Sequence, residues 1–214
     1  MAIVIILEMA NNHNGSVRHG KAIVNSYSKI CSEFEGFEFI LKLQYRNLDT
    51  FIRKDMLGRS DIPLIKRFSE TKIEPNDLNS LLIHAKAKGF LTMVTPFDED
   101  SIDLAIKHGV DYLKIASCSF GDWPLLEKIA NTNKKVVGSC AGASESTIEK
   151  VVSFFENRDI DFRLQHCVGE YPTKNSKLNV AQVEYLKSKY PDLSIGFSSH
   201  EKPDSTIIAP LALA

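Results

Sequence analysis

Two lysines stand inside otherwise apolar runs: Lys42 in Phe39-Ile-Leu-Lys-Leu-Gln44 and Lys114 in Tyr112-Leu-Lys-Ile-Ala-Ser117. A buried ammonium is costly without a partner. Each lysine therefore calls for an anion. That anion is either an internal carboxylate, with Glu8 a candidate, or a ligand carrying phosphate or carboxylate. Ser117 ends the Lys114 run and Ser139 and Ser198 end others, and hydroxyls and backbone N–H groups could complete the hydrogen bonding of a phosphorylated or multiply charged small molecule. A Schiff-base lysine is a further possibility, and it requires a depressed pKa. His13 and His200 follow apolar runs and Glu8 ends one. Histidine with carboxylate suits a divalent metal such as Mn²⁺, Mg²⁺ or Zn²⁺, although a lone histidine is as often a hydrogen-bonded structural residue. His166 lies within a run and reads equally as a core residue, whereas His19, His84 and His108 fall on helical stretches and read as surface. Cys118, Cys140 and Cys167 read as small buried hydrophobes.

The elements that must position these residues are short apolar strands alternating with amphipathic helices. Strands are expected at Ala2–Leu7, Gly36–Gln44, Phe90–Thr95, Tyr112–Ala116, Lys135–Ser139, Phe162–Cys167 and Leu193–Ser198. Near-continuous apolar runs fit strands buried on both faces, as in parallel sheets. Helices are expected at Val17–Phe34, Asn76–Lys88, Asp98–His108, Pro124–Asn131, Ser144–Asn157 and Val180–Lys189, several with N-terminal signals such as Phe97-Asp98-Glu99 and Ser144-Glu145. Gly89 and Gly109 stand where helices end. Trp123-Pro124 reads as a helix start with its aromatic ring packed against the barrel, not as a site. Tyr45–Thr71 is a charged excursion, expected to be a loop with a short helix, and long loops of this kind are often functional.

Alternating units of this kind mean an α/β fold with a parallel sheet, either a doubly wound open sheet or a (β/α)8 TIM barrel. The dinucleotide fingerprint GxGxxG and the phosphate loop GxxxxGK[ST] are absent. A barrel requires its chemistry just past the C-terminal ends of strands. Glu8 with Asn12 and His13, Lys42 and Gln44, Thr95, Lys114 and Ser117, Ser139, His166 with Tyr171, and Ser198 with His200 all fall there.

Composition sets outer bounds. The 214 residues carry 26 Lys and Arg against 27 Asp and Glu, a net charge of −1, with 43% apolar and 25% charged residues. These are soluble-globular values. They argue against disorder and against a general nucleic-acid binder, which shows a basic excess. Four cysteines without a CxxC pair do not make a disulfide scaffold and suit a reducing, cytoplasmic setting. The apolar N-terminus lacks the basic segment and cleavage site of a signal peptide. No apolar run approaches the roughly 20 residues of a membrane helix.

Seven motifs, in order along the whole chain, resemble the sialic acid synthase (N-acetylneuraminate synthase) family. They are Ile6-Leu-Glu-Met-Ala-Asn-Asn-His-Asn-Gly15, Lys42-Leu-Gln44, Thr95-Pro-Phe97, Tyr112-Leu-Lys-Ile-Ala-Ser117, Pro124-Leu-Leu126, His166-Cys167 with Tyr171-Pro-Thr173, and Ile195-Gly-Phe-Ser-Ser-His200. The resemblance implies a (β/α)8 barrel that condenses phosphoenolpyruvate with an N-acetylated amino sugar, typically N-acetylmannosamine. The product is a nine-carbon 2-keto acid, phosphate is released, and a divalent metal, usually Mn²⁺, is needed.

By that resemblance Lys42, Thr95, Lys114, Ser117, Ser139 and Ser198 contact phosphoenolpyruvate. Glu8 lies near the metal and reacting carbons, Gln44 and Tyr171 contact the sugar, and His200 is one of two metal histidines; Asn12 and His13 belong to the opening motif and join the substrate-binding set. The family's acidic sugar contact after strand four reads Ser119 here. Its Ser-Thr-Gly reads Ser139-Cys140-Ala141, its Asn after strand six reads Gly169 beside Glu170, and its Asp before the metal histidine reads Ser199. These changes touch the sugar side most and leave the acceptor open. The alternatives are another phosphoenolpyruvate-dependent synthase or lysine aldolase on the same barrel, or a non-catalytic anion-binding barrel. A full barrel usually needs about 250 residues. The sequence is therefore expected to be one barrel domain running through strand seven and into the helix that follows it. The eighth strand, with the second metal histidine, and the C-terminal antifreeze-like domain that covers the site in the family's homodimers would lie beyond it.

Overall fold

The computed structural model describes residues 3–202. It divides into two compact units, Met1–Tyr112 and Leu113–Ala214. Strand order follows chain order from the first strand to the seventh, which is the α/β class expected. The helix anticipated around Ala209–Ala214 lies outside the described residues.

The first unit runs β1 (Ile3–Glu8), α1 (Val17–Cys31), β2 (Phe37–Tyr45), α2 (Leu48–Phe51), α3 (Pro63–Glu70), α4 (Pro75–Ala87), β3 (Leu91–Pro96) and α5 (Glu99–Lys107). β1 pairs with β2 and β2 with β3, all parallel, in a register that sets Glu8 beside Lys42 and Gln44 beside Thr95. Along β2 the side chains alternate. Leu41, Leu43 and Tyr45 are buried, while Lys42 and Gln44 on the opposite face are partly accessible. Helix starts follow local chemistry. Ser16 accepts from His19 N–H and Asp98 from Ser101 N–H as N-caps, and proline opens α3 and α4.

The excursion is more ordered than expected. It holds α2, a single 3₁₀ turn at Lys54–Met56, and the eight-residue α3. Pro63 starts α3, and Phe68 on it meets Phe51 on α2 edge-to-face at 5.8 Å. A charge-rich composition conceals this aromatic contact.

The second unit runs β4 (Tyr112–Ile115, beginning at the boundary), α6 (Trp123–Ala130), β5 (Lys135–Ser139), α7 (Glu145–Glu156), β6 (Phe162–Cys167), α8 (Ala181–Lys189) and β7 (Ser194–Ser198). β5–β6 and β6–β7 are parallel, with Ser139 beside Gln165 and Cys167 beside Ser198. Gly138 is the fixed point of β5: a Cβ there would stand 2.9 Å from the rings of both Phe120 and Phe162. Phe162 in turn stacks on Phe155 of α7 at 4.6 Å. Trp123 is 40% exposed and packs edge-on against Phe154 of α7. It opens the helix as expected and covers a neighbouring helix.

Candidate active site

In the first unit the C-terminal ends of β1 and β2 bring Glu8, Lys42 and Gln44 together. Lys42 Nζ lies 2.9 Å from Glu8 Oε2, so the internal carboxylate is the partner this lysine has. Gln44 Nε2 donates to the same oxygen at 3.3 Å, and Ala10 N–H donates to Glu8 Oε1 at 2.8 Å. Both carboxylate oxygens are thus fixed. Thr95 is buried beside Gln44 in register.

His13 is buried, and its Nδ1 accepts from Gly15 N–H at 3.1 Å. Burial, with the charge of His19 second, holds its pKa below the ordinary 6.5. Gly15 sits at φ +70°, and a Cβ there would stand 3.1 Å from the Glu70 carbonyl. The loop after β1 therefore touches the end of the excursion, at a place only glycine fills without strain. His13, Gln44 and Arg46 line a small cleft of about 40 Å³ with Phe68 and Lys72. Asn12 is not part of this group: it is exposed, and its N–H is used by the Met9 carbonyl.

In the second unit Lys114 is 3% exposed, and its Nζ donates to Ile115 O at 2.8 Å and Ser139 Oγ at 2.5 Å. Ser139 passes the chain on to Gln165 Oε1 at 3.3 Å. Ser117 Oγ accepts from Ala141 N–H at 3.3 Å. A second set gathers on Cys167. Its sulfur lies 3.7 Å from His200 Nδ1 and also meets the hydroxyls of Ser198 and Ser117. Burial pushes this thiol up, but those three partners together bring it below its ordinary value. Burial pushes the Cys140 thiol up to about 11. Cys140 and Cys167 are buried as expected, whereas Cys118 is exposed, and all four cysteines are free. The Tyr171 ring lies 3.9 Å from that of His200, centroid to centroid, and is 75% exposed. His166 is a satisfied core residue: its Nε2 bonds Leu178 O at 2.8 Å, and its ring stacks on Phe197. His108, expected at the surface, instead bonds the buried Tyr45 hydroxyl at 2.8 Å.

The model of the NeuB family matches residues 36–214. The chain belongs to the NeuB family. Among solved structures, the NeuB chain is 46% identical to one described as spore coat polysaccharide biosynthesis protein E from Chromobacterium violaceum. That match covers all of this chain and 64% of the other, with a TM-score of 0.95. It is 28% identical to the N-acetylneuraminic acid synthetase of Leptospira borgpetersenii, solved with citrate, over 99% of this chain and 69% of the other, at a TM-score of 0.84. It is 27% identical to the N-acetylneuraminate-9-phosphate synthase of Drosophila melanogaster over 94% of this chain. The chain spans little more than half the length of the curated relatives it matches. The sialic acid synthase family named from the motifs is thus the one shown, and the fold is that of its barrels through the seventh strand.

His200 of this NeuB chain has the chemistry of a metal ligand. Its Nδ1 donates to Val168 O at 2.9 Å. A carbonyl on one ring nitrogen fixes the tautomer in which the other nitrogen carries the lone pair. Among the described residues no three His, Cys, Asp or Glu side chains stand together as a complete metal site. Two polar residues beside the matched positions gained weight only from coordinates. Gln165 extends the Lys114–Ser139 chain, and Arg46 caps Gln44 at 2.7 Å. The signal for both was strand alternation: Arg46 stands two residues after the matched Gln44, and Gln165 two residues before the matched Cys167.

Proposed function

We propose that this protein is the barrel part of an enzyme that condenses phosphoenolpyruvate with an N-acetylated amino sugar, giving a nine-carbon 2-keto acid and phosphate. The observation that carries the proposal is the buried Lys114 ammonium donating to the Ser139 hydroxyl at a strand end, in a chain of the NeuB family. Lys114, Ser117, Ser139 and Ser198 bind the anion of phosphoenolpyruvate, as do Lys42 and Thr95. Gln44 and Tyr171 contact the sugar.

In the reaction C3 of phosphoenolpyruvate attacks the sugar aldehyde carbon, and the aldehyde oxygen takes a proton. Water adds at C2, and the C2–O bond to phosphate breaks. Fixed charge and positioning supply much of the effect. Glu8, held by Lys42, Gln44 and Ala10 N–H, orients the water or exchanges the proton. His200, whose Nε2 carries the lone pair, would hold Mn²⁺ or Mg²⁺. When bound, the ion polarises the aldehyde as a Lewis acid. The working form is a cytoplasmic homodimer. No helix among the described residues is long and apolar enough to cross a membrane.

The test is phosphate release from phosphoenolpyruvate with Mn²⁺ or Mg²⁺ across a panel of N-acetylated amino sugars. Release that depends on one of them is expected. The absence of release with every sugar on a wide panel overturns the proposal.

A further inference from the structure

Arg46 belongs by sequence to the charged excursion, yet it is the link between that excursion and the Glu8 cluster. It follows Gln44 by two residues and shares its face. Its Nη2 donates to Gln44 Oε1 at 2.7 Å. Its guanidinium carbon lies 3.9 Å from the ring centroid of Phe97, 4.5 Å from that of Phe68 and 5.7 Å from that of Phe51. Phe51 meets the other two rings edge-on at 5.8 and 5.9 Å. The rings come from α2, α3 and the turn after β3. That turn is tied to β2 by Phe97 N–H donating to Tyr45 O at 3.1 Å. A planar cation among aromatic faces has little rotational freedom left and arrives at its hydrogen bond already oriented.

The consequence falls on Gln44. A glutamine amide can be turned end for end with almost no change of shape, exchanging donor for acceptor. Arginine only donates, so Arg46 holds the amide oxygen on its own side. The amide nitrogen then faces Glu8 Oε2 at 3.3 Å. The flipped amide would set NH₂ against guanidinium and oxygen against carboxylate. The series Arg46, Gln44, Glu8 therefore has a single polarity.

We propose that Arg46 is a positioning residue that locks the amide of Gln44, and that the rings of Phe51, Phe68 and Phe97 make this lock depend on the folded excursion. The effect on sugar binding rests on the function proposed above; the lock itself does not.

The experiment uses full-length protein carrying Arg46→Met and, separately, Arg46→Lys, which keeps the charge and loses the planar fork. The first readout needs no turnover. The side-chain NH₂ pair of Gln44 is identified in the ¹H–¹⁵N spectrum by its disappearance in Gln44→Leu. In both Arg46 variants the pair moves to the position of a solvent-exposed glutamine while the backbone spectrum stays folded. A pair that stays in place in either folded variant overturns the proposal. The second readout is kinetic. Losing one charged hydrogen bond raises the KM for the sugar about tenfold, with the KM for phosphoenolpyruvate within about twofold. Adding Arg46→Met to Gln44→Leu then costs no more than about twofold further. Equal damage to both substrates, or losses that simply multiply, overturns it. A wild-type protein that releases no phosphate with any sugar defeats the assigned reaction, while the amide signal still decides the lock.

Discussion

The two strand lysines occupy chemically different surroundings. Lys42 sits against a carboxylate, with 12% of its side chain exposed and 36% of its partner's. Lys114 is more deeply buried and donates to a carbonyl and a hydroxyl, with an amide oxygen next in line. A lysine beside a fixed carboxylate makes a bifunctional pair whose charges offset, suited to handling a proton or a water. A lysine among hydroxyls and an amide makes an environment in which an incoming anion finds donors. The same sequence signal, one lysine in an apolar strand, thus marks two different chemistries, and the partner decides which.

The sharpest way to break this comparison is to remove each ammonium in turn. Lys114→Met is expected to weaken phosphoenolpyruvate binding on the order of 100-fold, the upper range for hydrogen bonds to a charged group. Lys42→Met is expected to cost about tenfold, because its charge is already shared with Glu8. Calorimetry with phosphoenolpyruvate alone reads both, and equal losses would erase the distinction. Glu8→Gln reverses the emphasis. It keeps the shape and loses the negative charge, so kcat falls by about 10² or more, while phosphoenolpyruvate affinity stays within about threefold of the wild type. A kcat within threefold of the wild type would show that the carboxylate serves only to hold Lys42.

Much of this was legible beforehand. Alternation of apolar runs with capped helices fixed seven strands to within a residue or two, since Asp98 and Ser144 are caps whose effect is local. The matched residues fell at strand ends for the same reason. What escaped has a different physical character. The sequence offered Lys42 either Glu8 or a ligand as its anion, and the choice depends on the β1–β2 register, which neither strand contains alone. Arg46 is surrounded by Phe51, Phe68 and Phe97, which lie up to 51 positions from one another and from it, so no local window shows the cage. Asn12 belongs to the opening motif and is exposed, with its N–H donating to Met9 O.

A smaller effect asks whether the Lys114 region depends on the packing of its strand. Gly138 precedes Ser139, and a methyl group there meets two aromatic rings at 2.9 Å. Gly138→Ala is expected to destabilise the protein by about 1–3 kcal/mol through overpacking, read as a lower urea midpoint. It should also weaken phosphoenolpyruvate binding, because Ser139 must move with the strand. An unchanged midpoint would mean that the rings yield freely and that β5 is not a rigid support.

The smallest effect belongs to the first region and to His13. Its buried imidazole accepts from Gly15 N–H, which requires the neutral ring, and burial with His19 nearby keeps its pKa below 6.5. The unfolded chain therefore takes up this proton before the folded one does. The stabilisation is complete above about pH 6.5 and is lost as pH falls below that value toward the folded pKa. The urea midpoint should decline in that window. His84 and His108 are shifted the same way by their own burial, so His13→Gln should remove only part of the decline. Glutamine can still offer an oxygen to Gly15 N–H but takes up no proton. If the decline is as steep in His13→Gln as in the wild type, the loop after β1 draws nothing from a neutral histidine, and the titration belongs to the helices.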